Sequence, residues 1–560
     1  MKKIFLTLLL LVPMGISSCT KGYVDINKNP LYPGDEEKER DGVAAGAYFT
    51  NFQKKVMPTR ASGESTDLPN EYQVSINLAG DNWVGYFSPV FGNKWNGGVN
   101  FTTYNMLEGW VNYSFSTVYT GIVNPWLQIL QQTHTKEVKG SEVTYVKKSL
   151  ADQAVFSVAQ IIKIMGLHRA TDMFGPIPYL GIGKGDLTVA YDSQEVIYKS
   201  FFEELQTAVN TLQEYQRNGA ATIEAIKDFD AIYFGDVPKW MKLANSLMLR
   251  LAVRVRYVDQ ALAQKWASQA LTNPGGVMES AEDAAKLNST SERPFINSLE
   301  LLWNGYSDCR VGATIACYMS GYSDPRVPKY FAKYPKDPDA FTLKAVRTGI
   351  YVSTAPDTYL NYSIPNVQEN TPVYWMRPAE VYFLRAEAAL FHLTPGNAEE
   401  LYKKGIQSSF DEYGVSSKDY ITSPSRPTAY RDGKNSAFGA PAPSSVSVRW
   451  SDASGDEERL EKIITQKYIA LYPDGQEAWT EWRRTGYPKQ ITAYTNRTTA
   501  AAGNVLDSDG YKNGVRRLPF PRSEYDGINK ENVTKAVSLL SSGIDDSNAH
   551  LWWDANPLLK

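Results

Sequence analysis

The chain has 560 residues, 43% of them hydrophobic and 21% charged, with 58 basic against 61 acidic side chains for a formal net charge of -3. That balance fits a globular protein and excludes a disordered chain. No basic stripe of the kind phosphate contacts demand is present, which excludes nucleic acid as a partner.

In chain order, Lys2-Lys3 precede an apolar run from Ile4 to Val12, and Ile16-Ser17-Ser18 leads into Cys19. The run is about nine residues against the ~20 of a spanning helix, and small residues stand immediately before a cysteine, so residues 1–18 read as a lipoprotein signal peptide. Cys19 is then the first mature residue, acylated on its thiol, and an ordinary secretory signal is the alternative. Removing Lys2 and Lys3 makes the mature chain slightly more acidic. No later stretch reads as a membrane span, which leaves the lipid as the expected attachment.

From Tyr72 to Trp126 thirteen residues are aromatic, about twice the chain average of 12%, while only Asp81, Lys94 and Glu108 are charged and Asn and Gly fill the gaps. A pyranose offers apolar C–H faces to an aromatic ring and hydroxyls to amides, which is this mixture. Trp83, Tyr86, Trp95 and Asn96 are the candidate ligand-binding residues of the stretch. The competing reading is that these rings pack loops onto helices, the commoner fate of a large aromatic.

Leu150 to Leu167 is apolar nearly all round and predicts a central helix hidden on most sides. A helix over Glu195 to Leu212 follows. Trp240, Leu243, Ala244, Leu247, Leu251 and Val255 make one apolar stripe at helical spacing, with Arg250 and Arg254 on its flank. Cys309 to Tyr322 also reads as helical, which places Cys309 and Cys317 about 12 Å apart, beyond disulfide reach, as buried free thiols.

Pro378 to Leu390 and Ala398 to Phe410, separated by the Pro395-Gly396 break, read as a tetratricopeptide-like helix pair, without a clean 34-residue period. Ser454 and Glu457 have capping-box spacing before a helix whose apolar face is Leu460, Ile463, Ile464, Tyr468 and Leu471. Between the helices lie long irregular stretches, residues 59–124, 335–371, 416–454 and 492–510, of the kind that in a compact protein carry function.

His134, His168, His392 and His550 stand singly, and the sequence holds no HExxH, no Cys-His metal spacing and no GxSxG elbow. Asp456-Glu457-Glu458 begins a helix, where acids serve the helix dipole before they serve catalysis. The reading is therefore of a non-enzyme with no cofactor. Asp507-Ser508-Asp509 and Asp545-Asp546 could hold calcium, but solvated acid pairs are commoner and no metal is assigned.

The run His168-Arg169-Ala170-Thr171-Asp172-Met173-Phe174-Gly175-Pro176, with Tyr191-Asp192-Ser193-Gln194 after it, resembles the SusD/RagB family of nutrient-binding outer-membrane lipoproteins of Bacteroidota. Further matches come in family order: Lys239-Trp240 with Ala244-Asn245-Ser246-Leu247, Asp324-Pro325-Arg326, Ala379 to Ala388, Ala478-Trp479 with Arg483-Arg484, and Arg516-Arg517-Leu518-Pro519. They span essentially the whole mature chain.

The resemblance implies a mostly α fold, one SusD-like domain over residues 19–560, with tetratricopeptide-like helix pairs and a ligand-facing remainder of long loops. It implies a lid on a SusC-like TonB-dependent transporter at the outer face of the outer membrane, capturing glycans for import. A peptide-binding member of the family and a surface glycoside hydrolase are the alternatives. The motifs themselves are read as scaffold: Asp172 bonding nearby backbone, Phe174 and Tyr179 in the core, Arg483 and Arg484 pairing with interior acids. Ligand residues carry no family signature. Trp303 and Tyr306 join the candidates because their loop resembles a ligand-facing one.

Overall fold

Ser149 and Gly175 bracket the helix that centres the molecule. Ser149 and Asp152 cap its start by exchanging side-chain-to-backbone bonds, and it runs 25 residues, Leu150–Phe174, before Gly175 at φ +85° turns the chain out. From Ala154 onward every residue but Phe156 is buried, the all-round burial its composition predicts. It is the one helix among the described residues long and apolar enough to cross a membrane, yet it lies inside the fold as a core helix.

This computed structural model describes residues 43–90, 94–290, 294–350, 359–416, 418–497, 510 and 512–560. Cys19, the segment behind it and Asp507-Ser508-Asp509 lie outside the described residues. Residues 45–560 cluster as one compact unit.

In chain order the main elements of that unit are α1 (Phe49–Val56), β1 (Phe87–Pro89), α2 (Glu108–Val118), α3 (Asn124–Thr133), the exposed hairpin β2 (His134–Lys139) and β3 (Glu142–Lys147), and α4 (Leu150–Phe174). They continue with α5 (Gln194–Arg217), α6 (Val237–Arg254), α7 (Gln260–Thr272), β4 (Cys309–Val311), α8 (Ala313–Gly321), α9 (Pro378–Leu390), α10 (Ala398–Glu412), α11 (Asp456–Leu471) and α12 (Gly475–Thr485). Consecutive helices pack in pairs, α4 on α5, α6 on α7 and α9 on α10, while α6 and α9 touch each other and α9 rests on α11. Among the described residues the strands pair two by two, so sheets tie loops together and do not build the core.

Three expectations need correcting. Cys309–Tyr322 is not one helix: Cys309–Val311 is β4, antiparallel to β1, and α8 starts only at Ala313. Gly312 at φ -78°, ψ 151° stops the helix there, and a Cβ on it would stand 2.3 Å from the Gly85 carbonyl oxygen, so the strand crossing has no room for a side chain. Cys309 and Cys317 are nonetheless free and buried.

The stretch 59–124 is not a loop throughout. It holds a short helix (Asp67–Tyr72), a π-helical segment (Gln73–Asp81) broken at Ala79, and α2. Its period is hidden because residues 75–84 are buried on all faces, polar ones included. Finally, the residue capping α11 is Gly455, and Ser454 clamps Glu458, four residues on, through its backbone N–H at 2.9 Å and its hydroxyl at 2.8 Å.

Candidate functional site

Large aromatics divide here by where the backbone points them. Trp83 is 5% exposed; its indole N–H donates to the Phe101 carbonyl at 2.8 Å and its ring lies 4.8 Å from Trp479 of α12. Tyr86 has no exposed surface, stacks on Tyr468 of α11 at 4.5 Å and donates its hydroxyl to the Tyr468 carbonyl. Trp303, 6% exposed, donates to the Val367 carbonyl at 2.8 Å. All three fasten loops to the helical core, and a ligand cannot lie on them in this conformation, so they leave the candidate set.

Trp95 and Asn96 sit differently. Trp95 is half-buried at φ +52°, with Trp110 of α2 edge-on at 6.3 Å and the Lys94 ammonium 5.0 Å from its ring centroid. Asn96 is exposed and donates to the Val99 carbonyl at 2.9 Å. Buried Asn100 braces the turn, its amide reaching the Trp95 carbonyl at 2.9 Å and the Lys94 carbonyl at 3.2 Å. The ion pair of Lys94 with Asp308 joins this turn to the one carrying Tyr306, which is half-buried and donates its hydroxyl to Asn70 at 2.9 Å.

Beside the Trp95 turn stand aromatic residues that the sequence reading did not select. Tyr494 is 45% exposed and meets Phe438 in a T-shaped contact, ring centres 4.6 Å apart. Beneath them Arg347 donates to the carbonyls of Thr492 at 2.8 Å, Phe438 at 3.1 Å and Gly439 at 2.9 Å, its guanidinium 5.6 Å from the Tyr494 ring. Burial presses the Arg347 pKa below its ordinary value.

Backbone bonds join this aromatic pair to the Trp95 turn. The Tyr494 N–H donates to Thr348 at 2.9 Å, the Arg497 N–H to Thr103 at 3.0 Å, and the Thr103 hydroxyl to Gly98 at 2.6 Å. Trp95, Phe438 and Tyr494 thus belong to one wall of loops. The exposed ring of Tyr494 and the half-buried rings of Trp95 and Phe438 offer stacking surface to an apolar C–H face, and Asn96 a neutral hydrogen-bonding group. The available signal in the sequence was weak: Tyr494 is a lone ring in the turn-rich stretch 492–510, and Phe438 lies in the Gly-, Pro- and Ser-rich stretch 416–454.

The scaffold motifs carry a buried charge system. Asp172 accepts from side chains and not from nearby backbone: Tyr198 at 2.5 Å, Arg254 at 2.6 Å and Trp553 at 2.8 Å. Arg484 pairs with Glu387 and Glu481, as expected, whereas Arg483 donates to the carbonyls of Asp172 at 2.6 Å and Arg516 at 2.7 Å, and burial pushes its pKa down to about 9. Phe174 and Tyr179 are core residues. His168 is buried among Arg250, Arg254 and Arg169, which with burial hold it neutral. Asp545 is taken up by Arg517, the Phe520 N–H and Tyr525. Among the described residues no cluster of His, Cys, Asp and Glu could hold a metal ion.

Helix pairs supporting an irregular wall with outward rings define a helical scaffold that presents a surface. The family model for SusD-like proteins, described as SusD and RagB outer membrane lipoprotein, matches residues 25–554, and the chain belongs to that family. Solved structures are similar along nearly all of it. A chitin-binding SusD homologue from Flavobacterium johnsoniae is 34% identical with TM-score 0.80, covering 91% of this chain and 99% of that one. A SusD homologue from Bacteroides vulgatus is 31% identical with TM-score 0.79, covering 93% and 99%. One from Bacteroides thetaiotaomicron is 31% identical with TM-score 0.78, covering 91% and 99%. No curated protein sequence matches the chain.

Proposed function

We propose that the protein captures oligosaccharides at the cell surface and delivers them to a SusC-like TonB-dependent transporter, held on the outer membrane by a lipid on Cys19. The observation that carries this reading is the wall on which Tyr494, Phe438 and Trp95 present rings beside Asn96. Support comes from the relative described as chitin-binding, which aligns over 91% of this chain. Stacking on a few preset rings gives modest affinity, suited to capture followed by release.

Calorimetry of the mature chain with chitin oligosaccharides and a panel of other neutral glycans tests the reading. A ring contact contributes about 0.5–1.5 kcal/mol, so Tyr494→Ala and Trp95→Ala should each weaken binding roughly two- to tenfold. If no glycan binds and a peptide does so through the same rings, the peptide-importing reading replaces this one. Loss of transport on deleting the partner transporter, with glycan binding retained, would support the delivery step.

A further inference from the structure

Behind the aromatic wall a second recess of about 750 Å³ opens between α8 and the segments 337–345, 361–362 and 428–434. The two features share a strand of chain: Lys344 and Ala345 line the recess, and Arg347 lies under Tyr494. The volume is that of a small-ligand site. Ser320, Asn361 and Thr428 supply neutral polar groups, and Tyr362 and Tyr430, buried to 5% and 6% exposure, pack behind them.

The charges around it are nearly all spoken for. Lys344 is held between Asp337 and Asp339 at 2.8 Å each, and Lys333 donates to the Asp339 carbonyl at 3.0 Å. Asp432 accepts from the Tyr359 and Tyr430 hydroxyls with one carboxylate oxygen and from the Lys434 and Asn435 N–H groups with the other. That leaves the guanidinium of Arg431 and the ammonium of Lys434. Both line the recess, both are exposed, and among the described residues neither side chain has a hydrogen bond or an ion pair.

Asp432 accounts for their placement. By accepting the Lys434 and Asn435 N–H groups it folds residues 432–435 into a tight turn, and the backbone pair of Tyr430 with Ala440, at 2.9 and 3.1 Å, holds the turn's start. The two cations are therefore carried on a fixed turn whose own acid is already satisfied. A planar carboxylate or a sulfate suits such a pair, because a guanidinium offers it two parallel donors and an ammonium a point charge.

We infer that this recess is a subsite for the acidic group of an anionic oligosaccharide, held by Arg431 and Lys434. The inference rests on the glycan-capture reading and adds a charge selectivity that the aromatic wall lacks. Carboxylated and sulfated sugars share the chemistry, and the test separates them.

Calorimetry of the full mature chain at low salt would use trigalacturonate, 3′-sialyllactose and a chondroitin sulfate tetrasaccharide, each beside its neutral counterpart: the methyl ester, lactose and the desulfated tetrasaccharide. At least one acid should bind about three- to tenfold tighter than its neutral partner, the gain of one or two partly exposed ion pairs. Raising the salt should shrink that ratio. The double variant Arg431→Gln, Lys434→Gln should abolish it, while Tyr494→Ala lowers acid and neutral binding alike and leaves the ratio standing. Both cations are exposed, and an unchanged unfolding midpoint checks that the double variant keeps its fold.

Equal binding of acids and neutral partners overturns the inference. So does a preference that survives the double variant, or tri-glutamate binding at this turn when no acidic sugar does. If neutral glycans still bind and still depend on Tyr494, the subsite falls and the glycan-capture reading stands. If no glycan of either kind binds, both fall.

Discussion

Asp81 is fully buried, yet three donors converge on it: the Asn77 amide and the Tyr72 hydroxyl, each at 3.2 Å, and the Gly475 N–H at 2.9 Å. Burial outweighs them and, with the neighbouring Asp474 carboxylate, pushes its pKa up to about 8. The unfolded chain gives this proton up near 3.8 and the folded chain holds it to about 8, so the fold binds the extra proton across that window and loses stability as pH rises through it. The unfolding free energy of the native protein, from urea titrations, should fall relative to that of Asp81→Asn between pH 5 and 8, by up to about 1.4 kcal/mol per pH unit. A constant difference would mean that Asp81 is ionised throughout. A second contrast separates packing rings from presented ones. Trp83→Ala empties a core position and should cost about 3–5 kcal/mol in urea unfolding, whereas Trp95→Ala should leave the midpoint nearly unchanged and act on glycan binding. Equal destabilisation by both would dissolve the distinction. The sequence located the aromatic-rich stretch but could not sort it, because Trp83 and Trp95 differ in the direction a turn points them, and neither composition nor spacing encodes that.

Helices were legible where one face is apolar or where burial is complete: Pro378–Leu390 begins and ends where its composition predicts, and the stripe from Trp240 falls on α6 as far as Leu251, with Val255 just past the helix end. What periodicity could not show is the fate of the flanks. Arg250 and Arg254, on the edge of that stripe, are fully buried, because α9 supplies Glu380 to the first and α4 and α12 supply Asp172 and Glu477 to the second. The same device joins α12 to α9, where Arg484 bridges Glu387 at 2.6 Å and Glu481 at 2.6 Å while Lys467 of α11 stands 3.3 Å from Glu481. Such pairs contribute little relative to an apolar core, but removing one partner strands the rest. Arg484→Met should therefore destabilise the fold by about 3–5 kcal/mol in urea unfolding, and Arg484→Lys, which keeps the charge between Glu387 and Glu481, should lose less. If the two variants were equally destabilised, the cost would lie in the shape of the arginine and not in the stranded charge. The irregular wall was legible only as a set of long non-helical stretches. Its rings meet through backbone bonds between segments far apart in sequence, such as Arg497 to Thr103 at 3.0 Å, and no local pattern announces those.

At the scale of the whole molecule, the ordered motifs were enough to name the family because they are scaffold residues. Asp172, Arg254 and Glu477 pair with one another in the interior, across three helices, while the rings of the wall carry no such mutual demand. The same separation bears on how the protein is held at the membrane. The one described helix that passes for a span by length and composition is α4, and it is sealed inside the fold against α5 and α3. The proposed attachment lies at the N-terminus, where the short apolar run and Ser17-Ser18 lead into Cys19. A single acyl chain binds a membrane only reversibly, so stable anchoring requires more than one. Mass spectrometry of the N-terminal peptide from membranes should find Cys19 as the first residue, carrying at least two acyl chains, and intact cells treated with protease should lose the protein if it faces outward. Cys19→Ala should prevent acylation and deplete the detergent phase on phase partition. A mature peptide that starts elsewhere and contains Cys19 as a free thiol would remove the anchor, and with it the tether about which a lid could open while remaining attached to its transporter.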